Sequence, residues 1–153
     1  MQGKGYSRIV GSALTLVLTI ALVVATVVPA GAVTRSDRRM RRATNHSRVT
    51  HDVRRVDLHA ELSELARRHS AAMARRGSLF HTNDPEGYYL DGRSWRYWGE
   101  NVGMTGGSVE GLQKAFMASE SHRENILNRS FRNVAIGTVR RNGILWVTVF
   151  FWG

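Results

Sequence analysis

Two apolar segments near the C-terminus constrain the fold of this 153-residue chain more than any other feature. In the first, Val134, Ile136 and Thr138 alternate with other residues, and the second runs from Ile144 to Phe151. Such alternation has the two-residue period of a strand, and the Asn142-Gly143 pair between the segments is the strongest short signal for a hairpin turn. We therefore predict an antiparallel hairpin, which needs helices or a second sheet to cover its apolar faces.

Helices are predicted upstream of this hairpin. Apolar residues recur at three- and four-residue steps from Leu58 to Met73, and Gly77 is a typical C-terminal stop. Further helices are predicted over Val109–Ala118, with Ser108 as N-cap, and from a capping box at Ser121 and Glu124 through Leu127. A first short helix is predicted over Ser47–Arg55. Helices first and a hairpin last are typical of an α+β domain with helices packed on an antiparallel sheet.

The N-terminus resembles a secretory signal. Lys4 and Arg8 form a basic start, Ile9 to Val28 carries no charged residue, and Ala30-Gly31-Ala32 has the small-x-small pattern of a cleavage site. We predict that residues 1–32 are a signal peptide. The alternative is an uncleaved membrane anchor through residues 9–28, because this run is long enough to span a bilayer. Both alternatives place the remainder outside the cytoplasmic membrane, so the protein is expected to be secreted or extracytoplasmic.

The composition limits the classes of chemistry that are available. The chain has no cysteine, so disulfides, thiol catalysis and lipid attachment to cysteine are excluded. Its formal net charge is +10, and apart from Lys4 and Lys114 all the basic residues are arginines. No basic-aromatic nucleic-acid motif accompanies this charge, so no specific nucleic acid is expected as a partner.

Six of the arginines cluster after the predicted cleavage site, at positions 35, 38, 39, 41, 42 and 48. We predict that residues 33–46 form an unstructured arginine-rich linker, with a single domain over residues 47–153. The cluster has two interpretations that the sequence leaves open. It binds an anionic surface such as wall phosphates or phospholipid headgroups, or its charges are simply solvated.

Three short motifs carry the candidate functional residues. His81 follows Gly77-Ser78-Leu79-Phe80, Glu100 lies within Trp98-Gly99-Glu100-Asn101-Val102, and His122 lies within Ser121-His122-Arg123-Glu124-Asn125-Ile126-Leu127. In order and context these motifs resemble the CAP superfamily of cysteine-rich secretory, antigen-five and pathogenesis-related-one proteins. The resemblance covers residues 47–153 and is closest to bacterial secreted members. It implies a three-layer α-β-α sandwich with a central antiparallel sheet.

The resemblance also implies a surface cleft that two histidines and two glutamates line. His81, Glu100 and His122 match three of these positions, whereas the second glutamate is replaced by Ser119. Glu120 lies one residue later, about 100° round a helix, and reaches the cleft only if the helix ends first. Bacterial members often lack this glutamate.

Two functions remain open at this point. The first is a binding module whose cleft holds a cell-envelope polymer, lipid or peptide. The second is a metal-dependent hydrolase of wall or protein substrates, in which His81, His122 and Glu100 bind a divalent metal such as zinc. Each residue also has a structural interpretation: Glu100 as an acceptor for backbone amides, and His122 as a neutral imidazole at a helix start that bonds Glu100. No Gly-x-Ser-x-Gly or His-Glu-x-x-His motif is present, so neither a serine hydrolase nor a standard zinc protease is predicted.

Overall fold

A computed structural model of the protein describes residues 32–153. It contains five helices and four strands within this range. In chain order they are α1 (Arg35–Val49), β1 (Asp57–Leu58), α2 (Ala60–Arg76), α3 (Pro85–Tyr89), β2 (Trp98–Thr105), α4 (Val109–Ala118), α5 (Glu120–Leu127), β3 (Asn133–Arg141) and β4 (Ile144–Trp152). The predicted signal peptide lies almost entirely outside the described residues.

The four strands form one sheet in the order β1-β3-β4-β2. β4 lies in the middle and pairs antiparallel with both β3 and β2, while the two-residue β1 adds a short parallel pair to β3. The predicted hairpin is confirmed: Asn142 and Gly143 turn the chain from β3 into β4 with φ values of 50° and 78°. Both residues therefore occupy the left-handed region that a two-residue hairpin turn requires, and Gly143 adopts it without steric cost.

Alternation along β4 divides the core into two layers. Trp146, Phe150 and Trp152 face α2, and the buried residues that pack with them from α2 include Leu62 and Met73. The intervening residues of β4 face α1, α4 and α5 on the other side of the sheet, where they pack with the apolar residues Met40, Leu112, Phe116 and Ile126. The predicted α+β sandwich of three layers, α-β-α, is thus confirmed. All three hydrophobic clusters lie between residues 40 and 152, so the described part contains a core of its own.

The prediction of an unstructured linker was wrong. Residues 35–49 form α1, which begins at a Thr34 capping box with Asp37 and continues through the segment that we expected to be disordered. The separate helix predicted over 47–55 does not exist, because α1 ends at Val49 and Thr50 caps it. The pattern was misleading because the face that α1 buries is polar, with Met40 as its one buried hydrophobic residue.

Two charged residues of this segment are completely buried. The Arg48 guanidinium donates to the carbonyl oxygens of Arg54, Ile126, Asn128 and Phe131 at 2.6–3.1 Å. Burial lowers the pKa of Arg48 to about 10, and the nearby charge of Arg132 contributes to the shift. Arg48 thereby ties α1 to the end of α5 and to the chain that leads into β3.

Asp37 anchors the other end of α1. Its carboxylate accepts hydrogen bonds from the backbone and hydroxyl of Thr138 in β3 and from the backbone of Thr34. It also pairs with Arg67 of α2 at 2.8 Å, and Arg67 donates in addition to the carbonyl of Ala32. The start of α1 is therefore fixed to both the sheet and α2.

The remaining elements agree with the predictions less uniformly. α2 ends at Arg76 with Gly77 as the predicted C-terminal cap, and α4 spans Val109–Ala118 as predicted. α5 begins at Glu120, with Ser119 as an N-cap that makes no side-chain capping bond, so the capping box at Ser121 was wrong. β2 was not predicted. Within residues 32–153 we find no helix with the length and apolarity needed to cross a bilayer.

Candidate functional site

The site is built around β2, an edge strand of the sheet. Glu100 pairs with Phe150 and Asn101 with Val149, so these neighbours in β2 take the two faces of the sheet. Glu100 therefore points to the layer of α2, whereas Asn101 points to the layer of α4 and α5. One strand thus presents a carboxylate on one side and an amide on the other.

The Glu100 carboxylate is buried, with 2% of its side chain exposed. One oxygen accepts hydrogen bonds from His81 Nδ1 at 2.8 Å and from the backbone N–H of Thr82 at 2.9 Å. The other oxygen accepts from the Thr82 hydroxyl at 2.5 Å. A buried carboxylate needs such donors to compensate for its lost hydration, and here all of them come from the segment just after α2.

His81 is the exposed member of this group, with 63% of its side chain accessible. Since the Glu100 carboxylate only accepts, Nδ1 of His81 carries the proton and Nε2 is directed away from Glu100. The preceding residue is fixed too, because His69 Nε2 contacts the Phe80 carbonyl at 2.9 Å and the two rings meet edge to face. His69 is 7% exposed, as expected for a packed histidine on the apolar stripe of α2. An exposed imidazole is therefore held by a rigid, buried frame.

His122 lies across the edge strand from His81, in α5. Its Nδ1 shares a 2.8 Å hydrogen bond with the Ser119 hydroxyl, and its ring stacks on Phe116. Burial lowers the pKa of His122 below its usual range, the nearby His81 lowers it further, and the backbone of Val102 opposes the shift. The lowered pKa supports the expected neutral form, with burial as its largest cause. The bond to Glu100 that we considered for His122 is made by His81 instead.

Amide side chains join α5 to β2 beneath these histidines. Asn101 Nδ2 donates to the His122 carbonyl at 2.9 Å, and Asn125 Nδ2 donates to Asn101 Oδ1 at 2.9 Å and to the Glu100 carbonyl at 3.3 Å. The close approach depends on Gly99, where an added Cβ would lie 2.4 Å from Asn125 Oδ1. The Gly-Glu-Asn motif therefore combines a close contact, a buried acceptor and a bridge to α5.

Two cavities meet at His81. One, of about 530 Å³, lies toward α2 and is lined by residues that include Arg68, Arg76, Phe80 and Tyr88. The other, of about 440 Å³, lies toward β2 and α5, where Trp98, Gly99, Glu100 and Asn125 are among its lining residues. Both are lined by His81 and Thr82, so the two cavities adjoin at these residues, and we call the pair the His81 groove. His122 is not among the residues that line it.

The predicted residues are therefore brought together unequally. His81 and Glu100 are in contact. His122 lies close enough to His81 for that residue to lower the pKa of His122, but it faces the α4-α5 side of the sheet. Ser119 holds His122, so it does contribute to this region. α4 ends at Ala118, before Glu120, which is exposed; within residues 32–153 no hydrogen bond or ion pair involves its side chain.

The arrangement does not fit a three-ligand metal centre. Both oxygens of Glu100 already accept hydrogen bonds, so this carboxylate is not free to act as the third ligand, although the Nδ1 bonds of the two histidines leave their Nε2 atoms available. In the described part of the chain no group of three or more His, Asp or Glu side chains could hold an ion. Zinc binding by His81, His122 and Glu100 stays a prediction, and neither candidate function of the His81 groove depends on it.

Thr82 and Asn125 were not predicted as site residues. Thr82 supplies two of the three donors to Glu100, and Asn125 supplies the link from α5. The available signal was proximity: Thr82 directly follows His81, and Asn125 is three residues after His122. Tyr89, which is 1% exposed, lies beside this frame; burial raises the pKa of its hydroxyl, and the neighbouring Thr82 opposes the shift.

Comparisons with known proteins agree with this architecture. Residues 41–150 match the sequence model of CAP, the cysteine-rich secretory protein family. The chain is 31% identical over 112 residues to the uncharacterized protein YkwD of Bacillus subtilis, an alignment that covers 70% of this chain and 43% of YkwD. The chain thus spans less than half the length of this curated relative.

Solved structures are similar in fold. An extracellular protein containing an SCP domain from Bacillus anthracis superposes with a TM-score of 0.65 at 23% identity, over 76% of this chain and 40% of that one. An outer surface protein from Borrelia burgdorferi gives a TM-score of 0.69 at 16% identity, over 79% of this chain and 95% of the Borrelia protein. At these identities the likeness supports the fold alone.

Proposed function

The chain belongs to the CAP family, and on that premise we propose that it is an extracytoplasmic binding module whose His81 groove holds a polar chain of the cell envelope. The location is supported by the signal-like N-terminus and by similar structures described as extracellular or outer surface proteins. The ligand is a glycan or a peptide that lies across His81 and contacts both cavities.

One observation carries the proposal: the exposed His81 imidazole is held by the buried Glu100 carboxylate at the junction of two cavities. Burying a carboxylate costs free energy, which the three donors offset. The arrangement orders a side chain that is itself mostly in solvent, so it adds little to the core. Fixing an exposed hydrogen-bonding group in a groove is useful mainly for a ligand.

The lining of the groove indicates the class of ligand. Tyr88 and Trp98 offer aromatic faces, which suit the apolar faces of sugars or side chains. Arg68 and Arg76 add positive charge at the α2 end, which suits a carboxylate on the ligand. Asn125 adds amide contacts at the other end. Peptidoglycan fragments combine sugars, peptides and carboxylates, so soluble muropeptides are the appropriate probe.

Calorimetric titration of the chain from Val33 with purified muropeptides tests the proposal. We expect His81→Ala to weaken binding by about tenfold or more, the equivalent of one lost hydrogen bond in the groove. The matched control is His51→Ala, which removes an exposed histidine outside the groove and should leave Kd unchanged. Equal affinity of wild type and His81→Ala would refute the groove as the binding site.

The same Glu100-His81 pair favours a second candidate, hydrolysis of the bound ligand. Nε2 of His81 would take a proton from water while the water oxygen attacks the carbonyl carbon of a peptide bond. The imidazolium, stabilised by Glu100, would then give the proton to the leaving amine as the C–N bond breaks. Mass spectrometry of the muropeptides after incubation separates the two. New fragments with wild type that are absent with His81→Ala would establish hydrolysis, whereas bound but intact muropeptides would establish the binding module.

A further inference from the structure

α1 presents a regular positively charged face to solvent. Its exposed residues follow at three- and four-residue intervals, so they form a single line along the helix. They are Arg35, Arg38, Arg42, His46 and Val49. We call this set the α1 stripe. Between its first and last residues it is about 21 Å long, at 1.5 Å per helical residue.

Within residues 32–153, no acidic residue forms an ion pair with the stripe. The one acid of α1, Asp37, is completely buried and bonded to Thr138 and Arg67. Glu110 of α4 pairs with Arg39 at the edge of the stripe. Within residues 32–153, Arg35, Arg38 and Arg42 form no ion pair.

Further cationic groups extend the stripe on one side. A cavity of about 460 Å³ is lined by Arg41, Arg42, His46 and Arg55 among others, with Asp57 as the one acidic residue of its lining. Nε of Arg41 is buried there and has no hydrogen-bond partner in the described part of the chain. Four cationic or titratable side chains around one cavity match the phosphate groups of an anionic surface.

The place of α1 in the chain points to the bilayer as that surface. The uncharged run that ends at Val28 is seven residues before Arg35 in the sequence, a span of at most about 25 Å when extended. Within residues 32–153 the chain is held from its first residue, because the Thr34 capping box and the contact of Arg67 with Ala32 fix the start of α1. The stripe therefore emerges beside the membrane during export, and it stays there if the apolar run is retained.

We propose that the α1 stripe docks in the plane of a bilayer through the phosphates of anionic phospholipids. Arg35, Arg38 and Arg42 contact headgroups, and Val49, which is 44% exposed, meets the interface at the far end. α1 and α2 cover opposite faces of the sheet, so docking leaves the Arg68 and Tyr88 end of the His81 groove directed away from the lipid. The docking surface is distinct from the groove and independent of its function.

Vesicle sedimentation tests this proposal with the chain from Val33, which retains all three hydrophobic clusters. Vesicles of phosphatidylcholine with phosphatidylglycerol should bind the chain, and vesicles of phosphatidylcholine alone should not. Added salt should release it, because the charges act at the solvent-exposed surface. The triple variant Arg35→Gln, Arg38→Gln, Arg42→Gln should lower the partition coefficient by about a hundredfold, at roughly fivefold per arginine.

The matched control changes the net charge equally at exposed positions elsewhere: Arg75→Gln, Arg96→Gln and Arg141→Gln. This control should bind close to the wild-type level, and both triple variants should unfold at the wild-type temperature. An equal loss for the two triple variants, or equal binding to both kinds of vesicle, would overturn the proposal. The proposal would also be overturned if the three substitutions weakened binding to purified, phosphate-bearing cell walls more than binding to vesicles. That result would assign the stripe to a wall polymer.

Discussion

Helices α1 and α2 cover opposite faces of the same sheet, yet their sequences differ in kind. α2 buries an apolar series that includes Leu62, Ala66 and Met73. α1 buries five residues, of which four are polar or charged: Asp37, Met40, Thr44, Asn45 and Arg48. Hydrophobic periodicity therefore predicted α2 and failed to predict α1. A helix can belong fully to a domain while its sequence resembles a solvated linker.

The two helices are also held by different forces. Apolar contacts of α2 are non-directional and scale with the area removed from water. Asp37 and Arg48 instead hold α1 by directional hydrogen bonds to particular backbone groups, the N–H of Thr138 and the carbonyls of Ile126 and Phe131. These bonds allow α1 to fit the sheet in one position only. We expect the effect of a substitution in α1 on the free energy of unfolding to depend on the hydrogen-bonding groups that it changes. In α2 the effect should depend chiefly on the change in side-chain volume.

The largest expected effect is that of Arg48→Met. The change keeps an apolar stem but removes a donor from four carbonyl oxygens, of which that of Phe131 retains Arg132, and it should cost about 3–5 kcal/mol in the free energy of unfolding. Arg48→Lys keeps the charge but lacks the planar fork, so a substantial part of the loss should remain. Urea denaturation of the chain from Val33 measures both.

The control for Arg48 is Arg42→Met in the same helix. Arg42 is exposed, so its replacement should change the free energy of unfolding by less than about 0.5 kcal/mol. If Arg48→Met were as mild as Arg42→Met, the polar attachment of α1 would contribute nothing to stability, and the contrast between the helices would fail.

An intermediate effect is expected in α2. Leu62 is 2% exposed and packs with Ala135 and Phe150, so Leu62→Ala should cost about 2–4 kcal/mol through lost burial and the cavity left behind. Leu62→Met nearly conserves volume and should cost less than about 1.5 kcal/mol. The same denaturation experiment applies. A Leu62→Met variant as unstable as Leu62→Ala would show that α2 also requires a specific side chain, which would weaken the comparison.

The smallest of these effects is expected for Thr44→Val, which preserves the shape of a completely buried residue. Thr44 donates to Oε1 of the buried Gln113 in α4 at 3.1 Å, and valine would leave that oxygen unpaired. We expect a loss of about 1–2 kcal/mol, measured by thermal or urea unfolding. The double variant Thr44→Val, Gln113→Leu should recover part of the loss, because it removes both polar partners. A Thr44→Val protein as stable as wild type would mean that α1 depends on its shape alone.

Much of the fold could be predicted because its signals were local. The Asn142-Gly143 turn, the alternation of β3 and β4, and the stripe of α2 each lie within a few consecutive residues. β2 was missed because its glycines, Glu100 and Asn101 have low intrinsic preference for strands. It is a strand because β4 pairs with it over eight residues, which no local pattern expresses.

The site was predicted in part. The motif resemblance identified His81, Glu100 and His122, but it could not say which of them touch. Glu100 bonds His81 because alternation along β2 directs its carboxylate to the α2 side, while His122 belongs to the other layer. Thr82 and Asn125 were not predicted because their partners lie 18 to 25 residues away: the Glu100 carboxylate for Thr82, and Asn101 Oδ1 and the Glu100 carbonyl for Asn125.

The sequence by itself determined the hairpin, the apolar helix α2, the absence of thiol chemistry and the family motifs, since each is written in adjacent residues or in composition. Tertiary structure alone decided that the arginine-rich segment is helix α1, that Arg48 is buried, and that His81 rather than His122 contacts Glu100. The physical reason is the same in each case. A buried polar side chain is stabilised by partners far away in the sequence, about 80 residues for Arg48, and those partners exist only after the chain has folded.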